Sequence, residues 1–281
     1  NGRFVMGLGA SGPQVIEGFH GVKYDAPLGR TREVVEICRQ VWRREKVEYQ
    51  GKYYQVPLPA EKGTGLGKPL KLINHPVRER IPILIASLGP KNVELTAEIA
   101  EGWEPIFFHP EKAASVWGEP IAKGKAKRDP SLGELQVYAS PALAIGDDVD
   151  HMLDWVRPSL ALYIGGMGSR DVNFYNQLAC RMGFEEEAAI IQDRFLARDY
   201  EAAAAAVSGE DTRTTVARHP SAGCGSCRVY RTGRPFFPGY WRGGPRRPRK
   251  MPNISAETRQ FSLTTPRETP NFSDGFENPV P

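Results

Sequence analysis

The chain has 281 residues, of which 40% are hydrophobic and 25% are charged, and its formal net charge is +4 at pH 7. These values are normal for a soluble globular protein, and the length suffices for one α/β barrel or two ordinary domains. No apolar run approaches the roughly 20 residues of a membrane-spanning helix, and we recognise no secretory signal, so we expect no transmembrane segment. We therefore expect a cytoplasmic location.

The positive charge is confined to the end of the chain. Residues 208–281 contain 11 Arg and 1 Lys against 6 acidic residues, whereas residues 1–207 carry 25 basic and 27 acidic residues. The end segment also holds 10 prolines and the run Arg-Arg-Pro-Arg-Lys at residues 246–250. Such a composition predicts disorder, so we divide the chain into a folded domain, residues 1–207, and a tail, residues 208–281. Binding of nucleic acid by the tail is the less favoured interpretation.

The four cysteines do not predict a metal centre. Cys38 and Cys180 lie in helix-like segments and are expected to be small buried apolar residues. Cys224 and Cys227 form a single C-x-x-C pair, and a zinc site would need a second pair of ligands. His219 is the only nearby candidate, so we expect no bound metal.

The first predicted strand runs directly into a glycine-rich turn. Residues 4–8 indicate a short buried strand, and Gly9, Ser11, Gly12 and Pro13 follow it. Glycine lets the backbone approach a ligand closely, and a small hydroxyl adds a hydrogen-bond donor, so this strand end is a candidate binding edge of an α/β protein. A central strand this early in the sequence has nothing before it to pair with, which suggests a piece of a larger barrel.

A long loop is predicted from Ala10 to Leu28. Its length favours a functional role, and it carries aromatic and polar side chains suited to a substrate wall. These side chains are Gln14, Glu17, Phe19, His20 and Tyr24. Beyond the loop, apolar residues at helical spacing predict an amphipathic helix over residues 31–45. Residues 47–54 predict a small hairpin that turns at Gln50-Gly51.

The clearest buried strand is predicted over residues 81–86, because a continuous apolar run is typical of a parallel sheet covered on both faces. The turn Ser87-Leu88-Gly89-Pro90-Lys91 follows, and a helix is predicted over residues 92–101. A turn that opens a helix offers free backbone N–H groups and the positive end of the helix dipole, which suit an anion. Lys91 adds a positive charge. An ordinary helix start is the alternative interpretation of this turn.

Strands and helices alternate through the rest of the folded domain. Strands are predicted at residues 103–108 and 135–145, and the apolar run 160–164 leads into a second glycine-rich turn at residues 165–169. Helices are predicted to start near residue 109 and to span residues 147–157, 171–182, 185–199 and 200–207. This alternation is typical of βα units and a parallel sheet. Four or five such units are visible, and a closed barrel needs eight.

Several short segments occur in an order that is more specific than any one of them. Residues 2–14 contain Gly-Arg-Phe-x-x-Gly-Leu-Gly-x-Ser-Gly-Pro-Gln, residues 17–21 Glu-Gly-x-His-Gly, and residues 27–33 Pro-Leu-x-Arg-Thr-Arg-Glu. Residues 86–92 are Ala-Ser-Leu-Gly-Pro-Lys-Asn, and Gly-Gly-Met-Gly at 165–168 precedes Asn-Phe-Tyr at 173–175. Together these segments, within residues 2–207, resemble the bacterial luciferase-like oxidoreductases. They most resemble the branch that uses the deazaflavin coenzyme F420.

The resemblance implies an α/β fold, a (β/α)8 TIM barrel, and hydride transfer between coenzyme F420 and a small organic substrate without a metal. The deazaflavin ring would lie in the barrel mouth at the carboxyl ends of the strands, positioned by protein groups. The implied cofactor-binding residues are Ser11, Gly12, Ser87, Leu88, Gly89, Lys91, Gly165 and Gly166. Of these, Ser11 and Gly12 would lie near the ring, and the backbone around Leu88 would bind the phosphate. His20 and Glu17 are the candidates for substrate contact or proton transfer.

The sequence departs from the family pattern at both ends. Three βα units that precede the Gly-Arg-Phe strand in the family are absent, so the implied barrel is incomplete, and the tail from residue 208 matches nothing in the family. Within the family, an FMN-dependent monooxygenase is the alternative. From a different class, the alternative is a non-catalytic, truncated barrel fragment with a basic tail. The expected partner is a small-molecule substrate and not a membrane, and a homo-oligomer is left open.

Overall fold

The computed structural model describes residues 2–139, 142–145, 154–209 and 216–219. In chain order its strands are β1 (Met6–Gly9), β2 (Tyr49–Gln50), β3 (Gln55–Val56), β4 (Ile83–Ala86), β5 (Gly102–Glu104), β6 (Gln136–Val137), β7 (Ala142–Ile145) and β8 (Val216–His219). Its helices are α1 (Pro13–His20), α2 (Pro27–Trp42), α3 (Pro90–Ile99), α4 (Ala113–Ala126), α5 (Arg157–Ala161), α6 (Phe174–Arg181), α7 (Glu185–Leu196) and α8 (Tyr200–Ala205). None of the described helices is long and apolar enough to cross a membrane.

A four-stranded parallel sheet organises the described part of the chain, in the order β1-β4-β5-β6. Met6 pairs with Ile83, and the register continues to Gly9 beside Ala86. Leu84 then pairs with Gly102, which pairs with Gln136 on the last strand. Helices separate successive strands, so the predicted alternation of strands and helices is confirmed. All four strands end at the same edge of the sheet. β7 and β8 form a separate parallel pair.

The two faces of the sheet differ because side chains alternate along a strand. Ile83 and Ile85 are at most 1% exposed and pack with apolar residues of α2 and α3. Trp103 of β5 is also buried, in the larger apolar cluster that includes Trp117 of α4. The opposite face carries the exposed residues Gly7, Gly9, Ala86 and Glu104, together with the half-buried Leu84 and the buried Gly102.

The predicted loop over residues 10–28 is wrong, because it contains α1. Gly12 precedes the helix in an extended conformation, Pro13 occupies its first turn, and Gly21 ends it with a φ of 61°. Proline at a helix start and a left-handed glycine after its end are ordinary helix boundaries. The helix has only eight residues, none of them buried, and the glycines and proline that bound it are equally typical of a loop.

The predicted turn at Gly165 and Gly166 is also wrong. α5 continues into a π-helical segment, Leu162–Gly166, so both glycines are helical. A β-carbon at Gly165 would lie 2.5 Å from Cβ of Phe195 in α7, and one at Gly166 would lie 2.3 Å from Cε1 of the same ring. The glycines therefore allow close packing of two helical segments, which local sequence patterns do not reveal.

Other predictions are confirmed with shifted boundaries, and some lie outside the described residues. The hairpin is formed by β2 and β3, with residues 51–54 as its connection. Cys38 and Cys180 lie in helices and are partly buried, and burial raises the pKa of both thiols. The Cys224–Cys227 pair and most of the predicted helix over 147–157 lie outside the described residues. The proposed boundary at residue 208 stays a prediction.

Candidate functional site

The carboxyl ends of β1, β4 and β5 bring three connecting loops to one edge of the sheet. In parallel α/β folds this edge carries the binding site. Two residues that are not glycine adopt left-handed backbone conformations there: Ser11 after β1, with a φ of 55°, and Phe107 after β5, with a φ of 53°. Such conformations cost about 1–3 kcal/mol each and cluster at functional sites. The edge is therefore the candidate active site.

A cleft of about 430 Å3 opens beside the end of β1. Its walls come from the end of that strand, from α1 and α2, and from one tyrosine of the β2–β3 hairpin. Its lining includes Leu8, Ile16, His20, Tyr24, Val34 and Tyr54. The volume lies in the range of small-molecule sites, about 300–1,000 Å3. We call this cavity the β1 cleft.

Of the predicted site residues, His20 lines the β1 cleft, and Ser11 and Glu17 are connected to the cleft residue Tyr24. Glu17 Oε1 accepts a hydrogen bond of 3.0 Å from the backbone N–H of Tyr24, and the Tyr24 hydroxyl donates to the carbonyl of Ser11 at 3.2 Å. These bonds fold the chain after α1 back over the turn that follows β1. Gly12 accepts from the first turn of α1, and His20, exposed at the end of that helix, lines the cleft.

The loop between β4 and α3 directs its backbone donors away from the core. The buried indoles of Trp103 and Trp117 donate to the carbonyls of Ser87 and Leu88, at 3.0 and 3.1 Å. Across a planar trans peptide the carbonyl and the following N–H point in opposite directions. The N–H groups of Leu88 and Gly89 therefore point away from the two indoles, as an anion site requires.

The hydroxyl of Ser87 has a structural role. It is buried and lies 2.8 Å from the hydroxyl of Thr96, and Thr96 itself donates to the carbonyl of Asn92. This bond ties the turn to the second turn of α3. Ser87 can therefore offer a ligand its backbone, while its side chain is used internally.

Two cations lie by this loop. Lys91 is exposed in the first turn of α3, whose N-cap, Gly89, provides no side-chain cap. Arg181 at the end of α6 donates from Nη2 to the carbonyl of Leu88 at 3.3 Å, and burial lowers the pKa of this guanidinium. Local sequence patterns do not indicate Arg181, because 93 residues separate it from Leu88.

Sequence patterns also did not indicate two polar residues near the carboxyl end of β5, one at the end of the strand and one in the loop after it. Glu104 ends β5 with an exposed carboxylate, in register with Ala86 and, through it, with Gly9. His109, only 2% exposed, has its Nδ1 2.9 Å from Oε2 of Glu111, but neither ring nitrogen has a hydrogen-bond partner in the described part of the chain. Gly165 and Gly166 contact Phe195, so their assignment to the cofactor stays a prediction.

The chain is similar to a protein named for coenzyme F420 and to a methylenetetrahydromethanopterin reductase. It is 46% identical over 189 residues to a putative coenzyme F420-dependent oxidoreductase of Mycobacterium tuberculosis, covering 66% of this chain and 54% of that protein. It is 32% identical over 166 residues to the 5,10-methylenetetrahydromethanopterin reductase of Archaeoglobus fulgidus, covering 59% of this chain and 45% of the reductase. The chain thus spans about half the length of these relatives.

The chain also resembles a solved structure and matches the model of one protein family. The coenzyme F420-dependent tetrahydromethanopterin reductase of Methanopyrus kandleri matches 75% of this chain and 60% of its own, with a TM-score of 0.57 and 22% identity. At that identity the likeness shows a shared α/β fold. The family described as luciferase-like monooxygenase matches residues 1–226. The chain therefore belongs to the luciferase-like monooxygenase family.

Proposed function

We propose that this protein is an oxidoreductase that transfers a hydride between coenzyme F420 and a small organic substrate. The observation that carries the proposal is that the relative with 46% identity is named for this coenzyme, whereas the family as a whole is named for monooxygenases. The candidate site is compatible with it. A cleft, an exposed carboxylate and outward-pointing N–H groups all lie where parallel strands end.

The loop after β4 fits the phosphate of the coenzyme. Backbone N–H groups of Leu88 and Gly89, the amino end of α3 and the exposed Lys91 would surround an anion. In this proposal Lys91 neutralises the phosphate charge, while Arg181 holds the Leu88 carbonyl on the opposite side of the peptide. The glycine at position 89 leaves open space beside the helix start, because a β-carbon there would meet nothing within 4 Å.

The turn after β1 would hold the ring end of the coenzyme. Ser11 and Gly12 provide the backbone there, and their conformation is fixed by Tyr24 and by the start of α1. When bound, the deazaflavin supplies the hydride chemistry, and the protein positions it. His20 would exchange a proton with the substrate, and Glu17 would keep Tyr24 in place. In the complete protein, these loops would form the mouth of a (β/α)8 barrel.

An FMN-dependent monooxygenase is the second candidate, favoured by the description of the family. The two candidates differ in the cofactor that they bind. We would titrate the purified 281-residue chain with oxidised F420, following its fluorescence, and with FMN in parallel. Saturable micromolar binding of F420 and weaker binding of FMN are expected. Preferential binding of FMN, or binding of neither to a chain that is folded by circular dichroism, would overturn the proposal.

A further inference from the structure

The β2–β3 hairpin is fastened to α2 by a buried carboxylate. Glu33 is 7% exposed, and its two oxygens accept hydrogen bonds from the backbone N–H groups of Lys52, Tyr53 and Tyr54, with distances of 2.8 to 3.2 Å. Burial alone would raise the pKa of Glu33, but the three N–H donors and the charge of Arg30 outweigh it and lower the pKa. The carboxylate is therefore ionised at neutral pH and fixes residues 52–54 on the helix.

Two glycines show how closely the hairpin and the helix approach. A β-carbon at Gly51 would lie 2.3 Å from Oε2 of Glu33, and one at Gly29 would lie 2.2 Å from the ring of Tyr53. Neither position tolerates a side chain unless its neighbour moves. The hairpin consequently has one packed position on α2, set by Glu33 and by these glycines.

The fastened hairpin presents two tyrosines to one guanidinium. The Cζ atom of Arg30 lies 5.4 Å from the ring centroid of Tyr53 and 5.5 Å from that of Tyr54. The same guanidinium pairs with Asp25 at 2.8 Å. Of the two tyrosines, Tyr54 lines the β1 cleft and Tyr53 does not. Similar contacts with Arg30 thus hold one ring in the cleft wall and the other outside it.

The chemistry of the cleft wall favours a flat apolar group. Tyr54 faces the same cavity as the half-buried Leu8, Ile16 and Val34, and the charge of Arg30 in the wall is paired with Asp25. Aromatic rings stack on flat partners with a gain beyond simple area burial. His20, Lys23 and Thr31 supply polar groups in the same cleft, which suits a substrate with a polar reacting end beside its flat apolar group.

We propose that the β2–β3 hairpin is the substrate-selecting wall of the β1 cleft, that the Tyr54 ring selects a substrate with an aromatic or similarly flat apolar group, and that Glu33 is the residue that positions this ring. The inference rests on the proposed function in taking the cleft as the substrate side of an F420 site. It adds a class of substrate and assigns roles to Tyr54 and Glu33 that the resemblance did not imply.

The test compares two alcohols of similar size, one flat and one not. Dissociation constants of benzyl alcohol and cyclohexylmethanol for the full chain would be measured by ligand-observed NMR. Tighter binding of benzyl alcohol, by roughly two- to tenfold, is expected from an aromatic contact. In Tyr54→Leu the ratio should fall to about one, whereas Tyr53→Leu, which changes the other tyrosine on Arg30, should keep the ratio of the unaltered chain.

Glu33→Gln tests the positioning role. It keeps the shape of the side chain but removes the charge and part of the acceptor capacity, so the benzyl alcohol preference should fall toward one while a Glu33→Asp variant recovers part of it. An unaltered preference in a folded Glu33→Gln chain would remove Glu33 from the selection of substrates. Equal binding of the two alcohols by the unaltered chain, or an equal effect of Tyr53→Leu and Tyr54→Leu, would overturn the proposal as a whole.

The two proposals can fail separately. An F420 titration of the same variants tests the proposed function independently, because neither tyrosine belongs to the proposed phosphate loop. If F420 binds and the alcohols show no preference, the substrate inference fails alone. If the preference is present and F420 does not bind, the proposed coenzyme fails and the β1 cleft remains a site for flat organic molecules.

Discussion

The two ends of the parallel sheet are built in opposite ways. At the amino ends of the strands, Glu101 accepts from Arg80 and Arg39 and from the backbone of Ile83, at 2.9 to 3.3 Å. Arg128 donates there to four carbonyls, those of Ala97, Ala100, Leu132 and Gly133. At the carboxyl ends, the backbone is strained at Ser11 and Phe107, and the β1 cleft is open.

The two ends of the sheet therefore differ in role: contacts at the amino end stabilise the fold, and groups at the carboxyl end are available for binding. Ionic groups at the amino end hold the loops that precede β4 and β6, although the buried Nε of Arg39 has no partner among the described residues. Strained residues and outward N–H groups at the carboxyl end reduce stability but leave groups for binding. Substitutions at the amino end should therefore change unfolding, and those at the carboxyl end should change binding.

The largest expected effect is a loss of stability at the amino end. Arg128→Met keeps the aliphatic stem but leaves four carbonyls without their charged donor, which should cost about 3 kcal/mol of unfolding free energy. Urea unfolding followed by circular dichroism measures this loss, and the F420 dissociation constant at low denaturant should not change. Lys123→Met, which breaks one exposed pair with Glu119, is the matched control and should change stability little. A weaker F420 affinity of folded Arg128→Met would contradict the assignment of stability to the amino end and of binding to the carboxyl end.

The next effect is a loss of binding at the carboxyl end. Gly89→Asp places a negative charge at the N-cap of α3, beside the proposed phosphate, and should raise the F420 dissociation constant at least tenfold, about 1.4 kcal/mol. The space beside this glycine is open, and aspartate is a good N-cap, so stability should not fall. Gly89→Asn has the same shape without the charge and should bind nearly normally. An unchanged dissociation constant for the aspartate variant would exclude this loop from the site.

A smaller effect is expected from relief of strain. Ser11→Gly removes the cost of a left-handed φ and should raise the unfolding free energy by about 1 kcal/mol, while weakening F420 binding through a less ordered turn. Arg198→Gly, at another left-handed position with a φ of 65°, should gain similar stability without any effect on binding. Thermal denaturation and the fluorescence titration together decide whether Ser11 differs from Arg198 in this way.

The smallest effect is a dependence of stability on pH. Because the pKa of Glu33 is lowered in the folded chain, its contribution is complete above its unfolded value of about 4.3 and is lost as the pH falls below that value. The stability difference between the unaltered chain and Glu33→Gln should therefore shrink as the pH falls from 5 toward about 3. A difference that is constant over this range would show that the charge of Glu33 does not support the hairpin.

Local sequence patterns predicted the strands and most of the helices because each is encoded by its own residues. The run at residues 81–86 predicted β4, and the turn from Ser87 to Lys91 predicted a helix start. What failed depended on distant contacts: Gly165 is glycine because Phe195 of another helix lies against it. Arg181 and Glu33 could not be connected with their loops for the same reason, since their partners are 93 and about 20 residues away.

The most direct measurement is the change of backbone amide signals in the NMR spectrum when F420 is added to the full chain. If the carboxyl end binds the coenzyme, the amides of Leu88, Gly89 and Lys91 should shift with saturation, together with those after β1. The amides of Glu101 and Gly133 at the amino end should stay in place. Shifts confined to the amino end, or no shift at Leu88 and Gly89 under saturating F420, would contradict the division of the sheet into a stabilising end and a binding end.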